Sequence, residues 1–187
     1  DYYQLLANHL MEGGVIVQWV PATLPPRQFQ MILKSFSESF GHMQLWYFLP
    51  AYRQGPFNAV LVGSNEAIAL DYQTVQDRFE RRSEALASLR PYGLTSAVAL
   101  LPHFIAGDEI VRAEVASAPV NTLDHPRYEF YHPWDYAADR KRKTLANHVF
   151  LLDLKRRAHR GFFDQVASTV PDRDWLQQTF AAEFRYL

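Results

Sequence analysis

The sequence predicts an α/β fold: a partial, mixed sheet of about three strands followed by a helical carboxy-terminal lobe. Three observations carry this expectation. Val15 to Val20 is a short unbroken apolar run, the pattern of a strand covered on both faces. Gln44–Leu49 and Asn58–Val62 are two further strand-like runs, joined by a link rich in proline and glycine, as an antiparallel pair would be. Beyond Asp71 the strand-like patterning stops, and helical spacing takes over.

Residues 1–12 place Tyr2, Leu5, Leu6, His9 and Leu10 at helical spacing, and Gly13-Gly14 closes that helix. The apolar strand follows. Pro25-Pro26 then opens a second helix, because proline is tolerated in a first turn where its missing N–H costs nothing. Phe29, Ile32, Leu33, Phe36 and Phe40 form one stripe on it, and Gly41 stops it. Strand, helix, strand, strand amounts to one parallel crossover followed by one reversal.

Val75, Phe79, Leu86 and Leu89 predict a helix ended by Arg90-Pro91, and Leu94 to Ile105 predicts another. Residues 117–135 read as a proline-punctuated connector, and 138–187 as two helices split near Val170-Pro171. The organisation expected is therefore 1–70 as the sheet-bearing part, 71–135 as a helical extension with its connector, and 136–187 as a helical end segment.

With 187 residues the chain is long enough to bury a full core. Hydrophobic residues make up 48% and charged residues 21%, which sets it apart from disordered chains. Aromatic residues reach 14%, so rings are expected to fill much of that core. A formal net charge of −1 supplies no global field for nucleic acid. The absence of cysteine excludes disulfides and thiolate metal sites and suits the cytoplasm. No apolar run approaches the roughly 20 residues of a membrane helix. The first methionine, Met11, falls inside an expected helix, so the chain is expected not to start where its gene starts.

Histidines number seven, but none falls in a His-x-x-x-His or His-Glu-x-x-His pattern, and no metal is expected. His125 and His132 near Asp124, Glu129 and Asp135 read as solvated loop. Neither a Gly-x-Ser-x-Gly elbow nor a P-loop is present. Arg140-Lys141-Arg142-Lys143 and Lys155-Arg156-Arg157 with Arg160 flank Leu145, Val149 and Leu152, which describes an amphipathic helix whose basic face is read as solvated, with a phospholipid, nucleic-acid or partner contact as the alternative.

Three segments carry a resemblance: Tyr2-Tyr3-Gln4-Leu5, Gly13-Gly14-Val15-Ile16-Val17-Gln18-Trp19, and Leu49-Pro50-Ala51-Tyr52-Arg53-Gln54-Gly55. In that order they resemble the second half of the spermidine synthase (aminopropyltransferase) family. The family has Ile-Pro-Thr-Tyr-x-x-Gly at the third segment, with its tyrosine lining the amine pocket, so the resemblance implies that role for Tyr52. It also implies a methyltransferase-like (Rossmann-type) sheet whose last strand inserts antiparallel. The family's glutamine near the amine falls on Trp19 here, with glutamine one residue earlier at Gln18. Adjacent strand residues face opposite ways, so Gln18 and Trp19 are alternative candidates to line the amine site. The helix at Tyr2-Tyr3 is expected to pack on the sheet. Asn121-Thr122-Leu123-Asp124-His125-Pro126-Arg127-Tyr128-Glu129-Phe130 resembles an Asn-Thr-Asp-Asp-x-Pro-x-x-Glu-Phe element of large, often membrane-fused bacterial relatives, and reads as a turn clamp.

What the family places before these segments is a Gly-rich donor-binding turn and an Asp-bearing strand end. The resemblance thus implies a parent that uses decarboxylated S-adenosylmethionine and a polyamine-type amine. This chain would bind no cofactor and be inactive alone. Its strand edge would meet the missing half of the sheet or a second copy, and a membrane only through a fused parent on the cytoplasmic side. Two other readings stay open: a non-catalytic interaction module, and a methyltransferase of other specificity.

Overall fold

The computed structural model describes residues 1–47, 58–68, 71–82, 84–127 and 139–166, with 170, 174 and 178. The described residues form an α/β fold around one four-stranded sheet. Helix α1 (Tyr2–Asn8) leads into β1 (Ile16–Pro21), α2 (Pro26–Ser37), β2 (His42–Tyr47) and β3 (Asn58–Ser64). Then come α3 (Tyr72–Arg81), a 3-10 segment (Ala87–Tyr92), the one-turn helix α4 (Ala97–Leu100), β4 (Phe104–Gly107) and α5 (Asp108–Glu114). The long helix α6 (Arg140–Val166) follows.

The order across the sheet is β1-β3-β2-β4, and every neighbouring pair is antiparallel. β1 and β2 consequently run in the same direction with β3 reversed between them. The expectation of about three strands in a mixed sheet is corrected to four, with no parallel neighbours among them. The strand that was not expected is β4, which begins within the last two residues of the helix predicted over Leu94 to Ile105. Pro102 removes a backbone donor and ends that helix after one turn, and Phe104 then pairs with Trp46 across a bulge at Ile105 of β4.

Local chemistry accounts for the other elements. Gly13 adopts φ 67°, the left-handed conformation that reverses the chain after α1. A Cβ at Gly14 would lie 2.7 Å from the Met11 carbonyl oxygen, so the second glycine is also demanded. The turn is then tied to the end of β3: Ser64 donates to the Gly14 carbonyl at 2.9 Å, and Asn65 to the Ala7 carbonyl at 2.8 Å. Pro26 occupies the first turn of α2, as its fixed φ favours. The far end of α2 is finished by Arg112 of α5, whose guanidinium donates to the carbonyls of Ser37, Phe40 and Gly41. The Ser37 carbonyl is one that the helix end leaves without a partner in the helix, and those of Phe40 and Gly41 belong to the turn that follows.

Helices cover the sheet unequally. On one face α1, α2, α5 and α6 bury Phe29, Leu33, Phe36, Leu45, Leu61, Leu151 and Leu154 in a single core. On the other, α3 and α4 cover Trp46 and Phe104 of β2 and β4, with Val60 and Val62 of β3 only partly buried at the margin. Nothing described covers that face of β1. Val15, Val17 and Trp19 are 51%, 64% and 62% exposed, which corrects the expectation of a strand buried on both sides. β4 completes the sheet, and α6 packs on its main face. The break expected near Val170 falls outside the described residues except for Val170 itself, which is buried in the smaller cluster.

Candidate functional site

β1 and β2 end level with each other on either side of the start of β3, because Pro21 pairs with Asn58 and Tyr47 with Ala59. Carboxyl ends of co-directed strands are where α/β sheets collect ligands, since the following loops diverge there. Both anchors of the Leu-Pro-Ala-Tyr link, Tyr47 and Asn58, sit at this end. Tyr52 itself lies outside the described residues.

Gln18 and Trp19 are both on β1 but on opposite faces. Gln18 shares the core-side parity of Ile16 and Val20, is half-buried, and its amide donates to the Trp19 carbonyl at 2.7 Å. Trp19 stands on the bare face, level with Val60. The structure therefore brings Gln18 and Trp19 to one edge strand but to separate environments, so a single pocket cannot take both side chains unaided.

Sequence reasoning missed a polar cluster enclosed beneath the same end of the sheet. Asn147 of α6 is buried and donates to the carbonyls of Ala22 and Leu24 at 2.8 and 2.7 Å, which fastens α6 to the loop leaving β1. The Tyr47 ring packs against His148 of α6, with ring centroids 5.7 Å apart. Burial pushes the Tyr47 hydroxyl up to about 12, and it has no hydrogen-bond partner among the described residues. His103, from the turn before β4, is held neutral with a pKa of about 4, first by burial and then by the nearby Lys155 ammonium. Burial also lowers the pKa of His148. Lys155 is itself buried and donates to the Pro102 carbonyl. Gln28, in the first turn of α2, is fully buried, and its amide has no partner among the described residues. The available signal was polar residues at the inward positions of α6, Asn147 and Lys155, within an otherwise apolar stripe.

Chemically this cluster is neutral at its histidines and phenol, with one buried cation. It is organised to hold elements together, and Asn147 is its clearest brace. No group of three or more histidine, aspartate or glutamate side chains suited to a metal occurs among the described residues. Among the same residues no helix is long and apolar enough to cross a membrane.

At the opposite end of α2 a surface groove of about 480 Å³ is lined by Tyr2, Tyr3, Ser35, Glu38 and Asn121, among others. Its polar groups are engaged: Ser35 accepts from the Asn121 backbone at 2.9 Å, and Glu38 pairs with Lys34 at 2.5 Å. The Lys34 ammonium holds the Glu38 carboxyl below the usual carboxylate range. The Leu123 backbone donates to the Asp1 carboxylate at 2.6 Å, so the described part of the connector ties α1 and α2 together, as a clamp would. Neither a family model, nor a curated protein, nor a solved structure matches this chain.

Proposed function

We propose that this chain is the carboxy-terminal portion of a spermidine synthase-like aminopropyltransferase, contributing the amine side of the site and inactive alone. The observation that carries the reading is β1. It is an apolar strand at the sheet edge, with one face bare at Val15, Val17 and Trp19. A strand of this kind is stable in water only when paired and covered. A further parallel strand beside β1, with its helices over Val17 and Trp19, would extend the sheet on that side. The reversed β3 between co-directed β1 and β2 is the arrangement at the end of a methyltransferase-like sheet, and this supports the same reading at the level of fold.

In the reaction proposed for the parent, the lone pair of a neutral amine nitrogen attacks the aminopropyl methylene bonded to the sulfonium sulfur. The C–N bond forms as the C–S bond breaks. The sulfur keeps the electron pair and leaves as a neutral thioether, and the nitrogen gives its proton to a base. Since an alkylammonium has a pKa of roughly 10.4, presenting it neutral at pH 7 costs about 4–5 kcal/mol, which calls for a carboxylate base. In this reading that carboxylate and the sulfonium pocket belong to the other half. Tyr52 holds the amine, and Gln18 or Trp19 lines its approach.

The test is product formation by a parent polypeptide that joins this chain to a Gly-rich, Asp-bearing half. With decarboxylated S-adenosylmethionine and a series of aliphatic diamines, chromatography should show the aminopropylated amine and the thioether nucleoside in equal amounts. Transfer of a methyl group instead would reassign the reaction. Turnover of neither donor with any amine would leave the interaction-module reading.

A further inference from the structure

Three enclosed polar groups gather where β1 and β2 end. Gln28, in the first turn of α2, is fully buried, and neither its amide nitrogen nor its oxygen has a partner among the described residues. The Tyr47 hydroxyl, at the end of β2, is in the same position. Lys143, in the first turn of α6, is half-buried along its stem, with its Nζ enclosed and equally without a partner among those residues. Helix α6 makes the three neighbours. Asn147 holds the loop at Ala22 and Leu24, four residues before Gln28, while His148 lies against the Tyr47 ring. Phe29, next to Gln28, meets Phe150 edge to face at 6.2 Å. Lys143 stands one turn, about 5–6 Å, before Asn147 on the same inward stripe. All three groups therefore flank residues 143–150 of α6.

We propose that these groups form a binding site for a small monocarboxylate with a hydroxyl beside its carboxylate, the class of short hydroxy acids. Charge selects the carboxylate. An enclosed ammonium without a counter-ion is destabilising, and one cation calls for one negative charge. Burial keeps the Tyr47 phenol protonated, with its pKa raised to about 12, so it donates to an anion rather than repelling it. With the Gln28 amide nitrogen, three donors are then available to a group that only accepts. Gln28 Oε1 is the remaining unpartnered atom among them and requires a donor in return, which the ligand hydroxyl supplies. Ordered water would satisfy Tyr47 and Gln28 but would leave the Lys143 charge unbalanced. The site needs no donor-binding half, so it stands apart from the transfer reaction proposed above and is tested on the chain alone.

L-lactate is the probe, with L-lactamide as its uncharged counterpart. In proton–nitrogen correlation spectra the Gln28 side-chain amide, assigned by its loss in Gln28→Leu, should shift saturably with lactate at a Kd of roughly 1 mM. Lactamide should bind about tenfold or more weakly, and so should lactate to Lys143→Met. Tyr47→Phe should weaken lactate severalfold, through one lost hydrogen bond. Lys141→Met, exposed in the same turn of α6, should leave the affinity unchanged. Lactate should also raise Tm above that in equal chloride, and should fail to do so in Lys143→Met. A Gln28 amide that ignores lactate up to about 100 mM would leave water as the occupant and overturn the proposal. Equal affinity for lactate and lactamide, or lactate binding indifferent to both Lys143→Met and Tyr47→Phe, would overturn it too.

Discussion

Single buried atoms make the sharpest claims. The Tyr47 hydroxyl is enclosed, has no partner among the described residues, and has a pKa of about 12. A buried polar group without a partner opposes folding, so Tyr47→Phe should leave stability unchanged or raise it by up to about 1 kcal/mol in urea titrations. A loss larger than that would mean the hydroxyl holds a buried water or ligand. His103 gives a pH dependence with a definite sign. Its folded pKa of about 4 lies below the ordinary histidine value of about 6.5, so the unfolded chain binds this proton first as pH falls. The stability it contributes is complete above about pH 6.5 and is lost progressively towards pH 4, by about 3 kcal/mol in all. Denaturation midpoints at intervals between pH 7.5 and 4.5 should slope accordingly, and His103→Gln should flatten that part of the slope. Equal slopes in both proteins would detach His103 from the effect. Tyr52 belongs to the same scale, through the proposed reaction. In an active parent, Tyr52→Phe should lower amine kcat/KM roughly ten- to a hundredfold with donor binding unchanged, as expected for one lost hydrogen bond to a charged partner. Amine kinetics indifferent to both Tyr52→Phe and Tyr52→Ala would make it a structural residue.

Among the elements, β3 is the one whose neighbours leave least room. A Cβ on Gly63 would lie 2.7 Å from Phe36 Cζ and 2.8 Å from Phe40 Cδ2, so this glycine lets two rings of the α2 stripe approach the sheet. Those rings lie tilted against each other with centroids 4.6 Å apart, and neither can retreat without opening the core. Gly63→Ala should therefore cost about 1–3 kcal/mol, read as a lower denaturation midpoint. The elements also differ in how legible they were in the sequence. β1, α2 and the β2–β3 pair could be read because the apolar run, the proline-led stripe and the Pro/Gly link each repeat a pattern over six or more residues. β4 could not, since four residues after Pro102 show no period of their own and its identity comes from pairing with β2. The bare face of β1 was illegible for a related reason. Val15, Val17 and Trp19 have the composition of a covered strand, and only the placement of α3 and α4 over the far half of the sheet shows that the cover stops short. Gln18 and Trp19 lie on one strand with opposed faces, as strand alternation alone implies. The Tyr47–His148–His103 cluster joins residues far apart in sequence, which no local pattern announces.

At the scale of the whole molecule, one asymmetry organises the account. The face carrying α1, α2, α5 and α6 is closed, and the other is covered over β2 and β4 but open along β1. If β1 is where a donor-binding half continues the sheet, the chain by itself has no place for a sulfonium nucleoside, because that ligand belongs on a Gly-rich turn outside these strands. The most direct measurement is calorimetric titration with decarboxylated S-adenosylmethionine. It should be made on the chain alone, and again on the chain joined to a Gly-rich, Asp-bearing half. No binding heat is expected from the chain alone up to roughly millimolar ligand, and one-to-one binding is expected once the halves are joined. One-to-one binding at roughly micromolar affinity by the chain alone would contradict this expectation.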